Sequence, residues 1–171
     1  DTWVNEGLAE LSSSIALGST FSIRQFLRVA PTSLVNWPTS SVGGIANYGA
    51  ASLFMHFLTE HFGGRDDLRS LLSQPEDNIS GINNYLEEAG YAETFEDVFR
   101  FWAAANMLDG DIRDSDDILG YGDLQVVSAV SGRIDGFDEA SSEIPQYAIE
   151  YTELRSVSEP FTLSFQGQTT T

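Results

Sequence analysis

The chain has 171 residues, 42% of them hydrophobic and 12% aromatic, which is enough for one real core and inconsistent with a disordered segment. Its 26 acidic side chains face 8 basic ones, all of them arginine, for a formal charge of −18. Such a surface repels nucleic acid and anionic lipid, and the absence of cysteine excludes disulfides and thiolate metal sites.

No apolar run approaches the roughly 20 residues needed to span a bilayer, and no signal peptide is visible. The acidic residues are spread along the chain rather than gathered in a tail, which suits high salt or plain solubility after secretion. The sequence begins at Asp1, inside what reads as a helix start, and is expected to be an excerpt of a longer protein.

Residues 4 to 17 carry a helical stripe of Val4, Leu8, Leu11 and Ile15, capped by Asp1 or Thr2 and stopped by Gly18. A short helix fits Ser22 to Ala30 and ends at Pro31. From Pro31 to Gly44 the Pro, Ser, Thr and Gly content reads as a loop, and Leu34, Val35 and Trp37 should lay it on the body of the protein.

A strong helix runs from Ala46 to Phe62, with Ala50, Leu53, Phe54, Phe57 and Leu58 on a broad apolar face and Gly63 and Gly64 at its end. Short helices follow at Arg65 to Leu72, before Pro75, and at Ile79 to Ala89, before Gly90. Thr94 and Asp97 make a near capping box for a helix ending close to Leu108. Trp3, Trp37 and Trp102 read as core or rim packing.

After Asp109 the texture changes. DGDIRDSDDILGYGD is an acidic, glycine-bearing loop, and LQVVSAV, QYAIEYTEL and PFTLSFQG then carry strand-like spacing. The expected fold is mainly α: a helical unit over 1–120 followed by a short β-rich tail over 121–171, the start of a β-sandwich or a cover for the helices.

Glu6 and Glu10 lie one turn apart on the first helix and project together. Glu6 could bind a divalent cation and Glu10 could orient another ligand. Two glutamates in a first turn also complement the helix dipole, so spacing leaves both readings open. Asp109, Asp111, Asp114, Asp116 and Asp117 could give oxygens to calcium, but the loop lacks EF-hand spacing, which favours a solvated acidic turn. His56 and His61, five apart, cannot form an i, i+4 metal pair and read as partly exposed side chains.

The string TWVNEGLAEL resembles the segment that follows the HExxH helix in gluzincin zinc metallopeptidases, of the aminopeptidase N and thermolysin-like kind. There an Asn-Glu-Gly or Asn-Glu-Ala step supplies the glutamate that completes the zinc site, and Glu6 matches it. Glu10 stands where thermolysin relatives carry an aspartate that holds a zinc-bound histidine. IANYGAASLFMHFLTEHFGG looks like the gluzincin helix in which a tyrosine stabilises the oxyanion, a role the resemblance gives to Tyr48 although its spacing departs from Y-x-K-G. Tyr48 packing on the preceding loop is the other reading. FEDVFRFWAAANMLD is similar to a late helix of secreted peptidases related to immune inhibitor A.

The resemblance implies the carboxy-terminal subdomain of a secreted zinc peptidase acting on peptides or proteins through a metal-activated water. HExxH, which supplies two histidine ligands and the general base, occurs nowhere in the 171 residues, so the chain by itself is expected to be catalytically incomplete. The competing expectation is a non-catalytic helical binding or scaffold module derived from such a peptidase.

Overall fold

IANYGAASLFMHFLTEH places alanine, serine and glycine between large apolar residues, so neighbours can cover almost every side of a helix built from it. The computed structural model describes residues 2–18, 21–29, 31–38, 44–64, 67–109, 118–122, 124–136, 141–156, 160, 162 and 164. Among them are α1 (Thr2–Leu17), α2 (Phe21–Phe26), α3 (Ile45–His61), α4 (Leu68–Leu72), α5 (Ile79–Glu88) and α6 (Phe95–Leu108), with strands β1 (Gly132–Asp135) and β2 (Thr152–Arg155). The protein is mainly helical, and α3 is its hub.

The expected apolar face of α3 is buried, but burial continues round the helix to Asn47, Ser52 and Thr59. Two of these polar residues are hydrogen-bonded, while the buried Ser52 hydroxyl has no partner among the described residues. Asn47 Nδ2 donates to the Ser33 carbonyl (2.7 Å), and the Thr59 hydroxyl donates to the Met55 carbonyl (2.6 Å). Both α1 and α2 pack on this helix, and α6 covers it with aromatic rings. Phe54 lies 5.5 Å from Phe95, 5.5 Å from Trp102 and 5.8 Å from Trp3, centre to centre. Trp3 and Trp102 are core residues, and Trp37 is half-buried.

Helix limits follow the local signals. Gly18, Gly63, Gly64 and Gly90 all adopt the left-handed backbone that ends a helix. Asn78 caps α5 by accepting from the amides of Ser80 (2.8 Å) and Gly81 (3.3 Å). The Asp97 carboxylate closes the start of α6 by accepting from the amide and hydroxyl of Thr94 (3.0 and 2.8 Å). Two helices are shorter than expected: α2 gives way to turns at Leu27, and the described part of α4 starts at Leu68.

The stripe on α1 needs correction. Val4 and Leu11 are buried and Leu8 half-buried, but Ile15 is exposed and Ser14 is buried in its place. The inward arc is Trp3, Val4, Gly7, Leu11 and Ser14, centred one position away from the hydrophobic stripe. Gly7 sets that centre. A Cβ there would lie 2.9 Å from the Ala51 carbonyl oxygen, so the glycine lets α1 lie directly on the backbone of α3.

The tail carries less strand than its β-branched residues suggest. LQVVSAV (124–130) is irregular, because its amides meet carbonyls at or just beyond helix ends rather than a partner strand. Ser128 N donates to Asn106 O (3.1 Å), and Ala129 N donates to Leu27 O (2.8 Å). Of QYAIEYTEL, only Thr152 to Leu154 enter a strand, and β2 pairs in parallel with β1 in the register Gly132↔Thr152. In PFTLSFQG, Pro160, Thr162 and Ser164 are not in strands, and the rest lies outside the described residues. Tyr121 and Val126 are buried in the same core as the helices, and Ser33 and Ala148 form an isolated antiparallel bridge. The loop at 31–38 lies on the body as expected, with Leu34 fully buried.

Candidate functional site

The step Asn5-Glu6-Gly7 sits in the first turns of α1, and its three residues have different fates. Asn5 Nδ2 donates to Asp77 Oδ2 (2.9 Å), which ties α1 to the loop before α5. Gly7 is buried against Ala51 and Met55. Glu6, between them, is half-buried and has no hydrogen-bonding or ionic partner among the described residues. Packing therefore explains Asn5 and Gly7, and leaves Glu6 without a structural task.

Glu10 is also half-buried, and it is engaged. The Ser22 hydroxyl, at the start of α2, donates to Glu10 Oε2 (2.7 Å). Ser22 itself rests on α3: a Cβ at Gly49 would lie 2.0 Å from the Ser22 carbonyl oxygen, so only glycine permits this approach. Glu10, Ser22 and Gly49 thus form the junction of three helices. No pattern in the sequence links residue 10 to residue 22, and Ser22 was not legible beforehand.

Tyr48 is half-buried in the first turn of α3, with its ring edge-on to Trp37 at 4.7 Å and 65°. Trp37 in turn donates its indole N–H to the Leu34 carbonyl (2.9 Å). Tyr48 therefore packs on the preceding loop. The hydroxyl of Tyr48 has no partner among the described residues.

The two histidines are structural. The Ser14 hydroxyl reaches the Leu11 carbonyl (2.9 Å) and is also hydrogen-bonded with His56 Nε2. This bond ties the second half of α1 to α3. His61 Nε2 is 3.0 Å from the Gly120 carbonyl oxygen, and its ring packs 4.6 Å from Phe57. Both rings are half-buried, as expected.

Asp109 follows the last turn of α6, and both of its oxygens accept backbone amides: Oδ1 from Tyr121 (2.8 Å) and Oδ2 from Val126 (2.7 Å). It clamps the returning chain. Asp111, Asp114, Asp116 and Asp117, the other calcium candidates, lie outside the described residues. Beside the clamp the Tyr121 hydroxyl donates to Asn106 Oδ1 and the Tyr151 hydroxyl to the Ala103 carbonyl, each at 2.5 Å. Burial pushes the Tyr121 phenol well above its ordinary range and the Tyr151 phenol up to about 12, so both remain donors at neutral pH. A small cleft lined by Phe26, Leu27, Thr32, Ser128, Ile149 and Tyr151 shares no residue with the start of α1.

No protein-family model matches the chain, and neither does any curated protein or solved structure. Geometry must carry the reading.

Among the described residues, no three His, Asp or Glu side chains converge to hold a metal ion. Glu6 is one donor where zinc needs three protein donors and an open position. The described residues do not complete a zinc site. No helix among the described residues is long and apolar enough to cross a membrane.

Proposed function

We propose that this chain is the carboxy-terminal helical part of a secreted, zinc-dependent peptidase of gluzincin type. Glu6 would be its contribution to the metal site, and peptide or protein its substrate. The observation that carries the reading is the contrast within Asn5-Glu6-Gly7. Asn5 is held by a hydrogen bond and Gly7 by close packing, whereas the half-buried carboxylate between them has no hydrogen-bonding or ionic partner among the described residues. A helix that uses the two positions flanking a residue to fix its own place is suited to aiming the side chain between them at a partner brought by another segment. The bond from Ser22 to Glu10 supports the same idea one turn later, since it leaves the other Glu10 oxygen able to orient a ligand. On this reading the two histidine ligands and the general base come from outside these 171 residues, and the chain alone hydrolyses nothing.

The test is to read the sequence that precedes Asp1 in the gene and measure zinc in the longer natural product. The reading expects HExxH, stoichiometric zinc, and loss of both zinc and peptide hydrolysis in Glu6→Ala. Because Glu6 makes no hydrogen bond or ion pair among the described residues, that variant should keep its stability within about 0.5 kcal/mol in urea unfolding. Glu10→Ala should weaken zinc affinity by about tenfold. A longer product with neither HExxH nor zinc would leave a non-catalytic binding or scaffold module.

A further inference from the structure

We infer that this fold depends on dissolved salt, because its carboxylates hold the structure together without being neutralised by it. The inference does not rest on the peptidase reading. Among the described residues, only Asp97 and Glu153 are held by arginine, through Arg100 in one case and through Arg133 and Arg155 in the other. The other tethering carboxylates use neutral donors.

These neutral tethers join parts of the molecule far apart in sequence. Asp77 accepts from Asn5, and Glu10 accepts from Ser22. Glu60 accepts from the Gly122 amide (2.5 Å), and Glu88 from Gln74 (2.8 Å). Glu96 accepts from the Tyr147 hydroxyl (3.2 Å), and Asp109 from two amides. Each bond is strongest with the carboxylate ionised, so each leaves a full negative charge in the folded molecule. In a chain of net charge −18, folding thus brings the described carboxylates together with few arginine partners among the described residues.

The length scale decides how much this matters. A chain of this size has a radius of gyration of about 15 Å. At about 0.01 M salt the screening length is roughly 30 Å, so repulsion acts across the entire protein. At about 1 M it is roughly 3 Å, and only adjacent charges still interact. The extended unfolded chain spreads the same charges apart, so low salt favours unfolding.

The experiment compares thermal unfolding midpoints in about 0.01 M and about 1 M sodium chloride, and the midpoint is expected to rise on the order of 10 °C. General salting effects would produce a rise too, so the same scan is run on Glu87→Gln, Asp135→Asn, Glu143→Gln combined. All three residues are exposed, and none of their side chains has a hydrogen bond or ion pair among the described residues. The variant takes the charge from −18 to −15. Because self-repulsion scales with the square of net charge, the rise should shrink by about a third and the low-salt midpoint should increase. A flat or falling midpoint in the parent protein would overturn the inference. So would a rise of equal size in the variant.

Discussion

At Gly7 and Gly49, α1 and part of α2 lie against the backbone of α3 with no side chain between them. From Tyr121 to Tyr151 the chain is instead tethered to the helices, by a carboxylate, by phenol hydroxyls and by carbonyls at helix ends. The first region is stabilised by shape and tolerates almost no added volume. The second is stabilised by polar groups at chosen points, and between those points residues such as Val127 stand in solvent. One chain thus uses close packing where helices cross, and hydrogen-bonded tethers where an irregular segment must lie on a finished surface.

The contrast can be broken most severely at Gly49. Gly49→Ala puts a methyl group 2.0 Å from the Ser22 carbonyl oxygen, so α2 must move. The expected cost is about 3 kcal/mol, read as a lower urea midpoint with an unchanged slope. An effect under about 1 kcal/mol would mean that α2 is not seated as described.

Asp109→Ala attacks the other region. It removes the acceptor for two amides and should cost about 2 kcal/mol. Native-state hydrogen exchange checks where the loss falls: the Tyr121 and Val126 amides should lose protection while those of α3 keep theirs. Uniform loss over both regions would deny that the tethered segment opens separately.

Tyr121→Phe is the gentlest change, with an expected cost of about 1 kcal/mol for the bond to Asn106. Its value lies in the pH dependence. Burial raises the Tyr121 phenol, and raises Tyr151 to about 12, so the unfolded chain releases these protons first as pH rises. Their stabilisation is complete below the ordinary tyrosine value of about 10 and is lost as pH climbs toward the folded values. The alkaline limb of the stability curve should therefore begin near pH 10 and be shallower in Tyr121→Phe. Parallel limbs would place the sensitivity in other groups.

Helix limits were legible because their causes are local: glycine stops, and Thr94 with Asp97 three residues on. The inward face of α1 was misread at one end for a non-local reason. Hydrophobicity favours Ile15, but the close approach at Gly7 turns Ser14 inward, where His56 bonds to it. The tail was over-read as strand because β-branched residues fit any extended path, and the available acceptors were helix-end carbonyls.

The candidate site divides similarly. Glu6 and Glu10 were visible as helical neighbours from spacing alone. The contacts that separate them, Ser22 on one and none on the other, depend on where α2 and α3 lie.

The all-round burial of α3 has a consequence for biosynthesis. On the ribosome α1 and α2 precede this helix, but the rest of its cover follows it, since Phe54 waits for Phe95 and Trp102, and Phe57 for Tyr121. Until α6 and the segment after it have been translated, a nearly uncharged helix is presented to the cytosol or translocation machinery with its rings uncovered. A pause in translation between α3 and α6 would therefore be the most dangerous point in the life of this chain, and the place where a chaperone has most to hold.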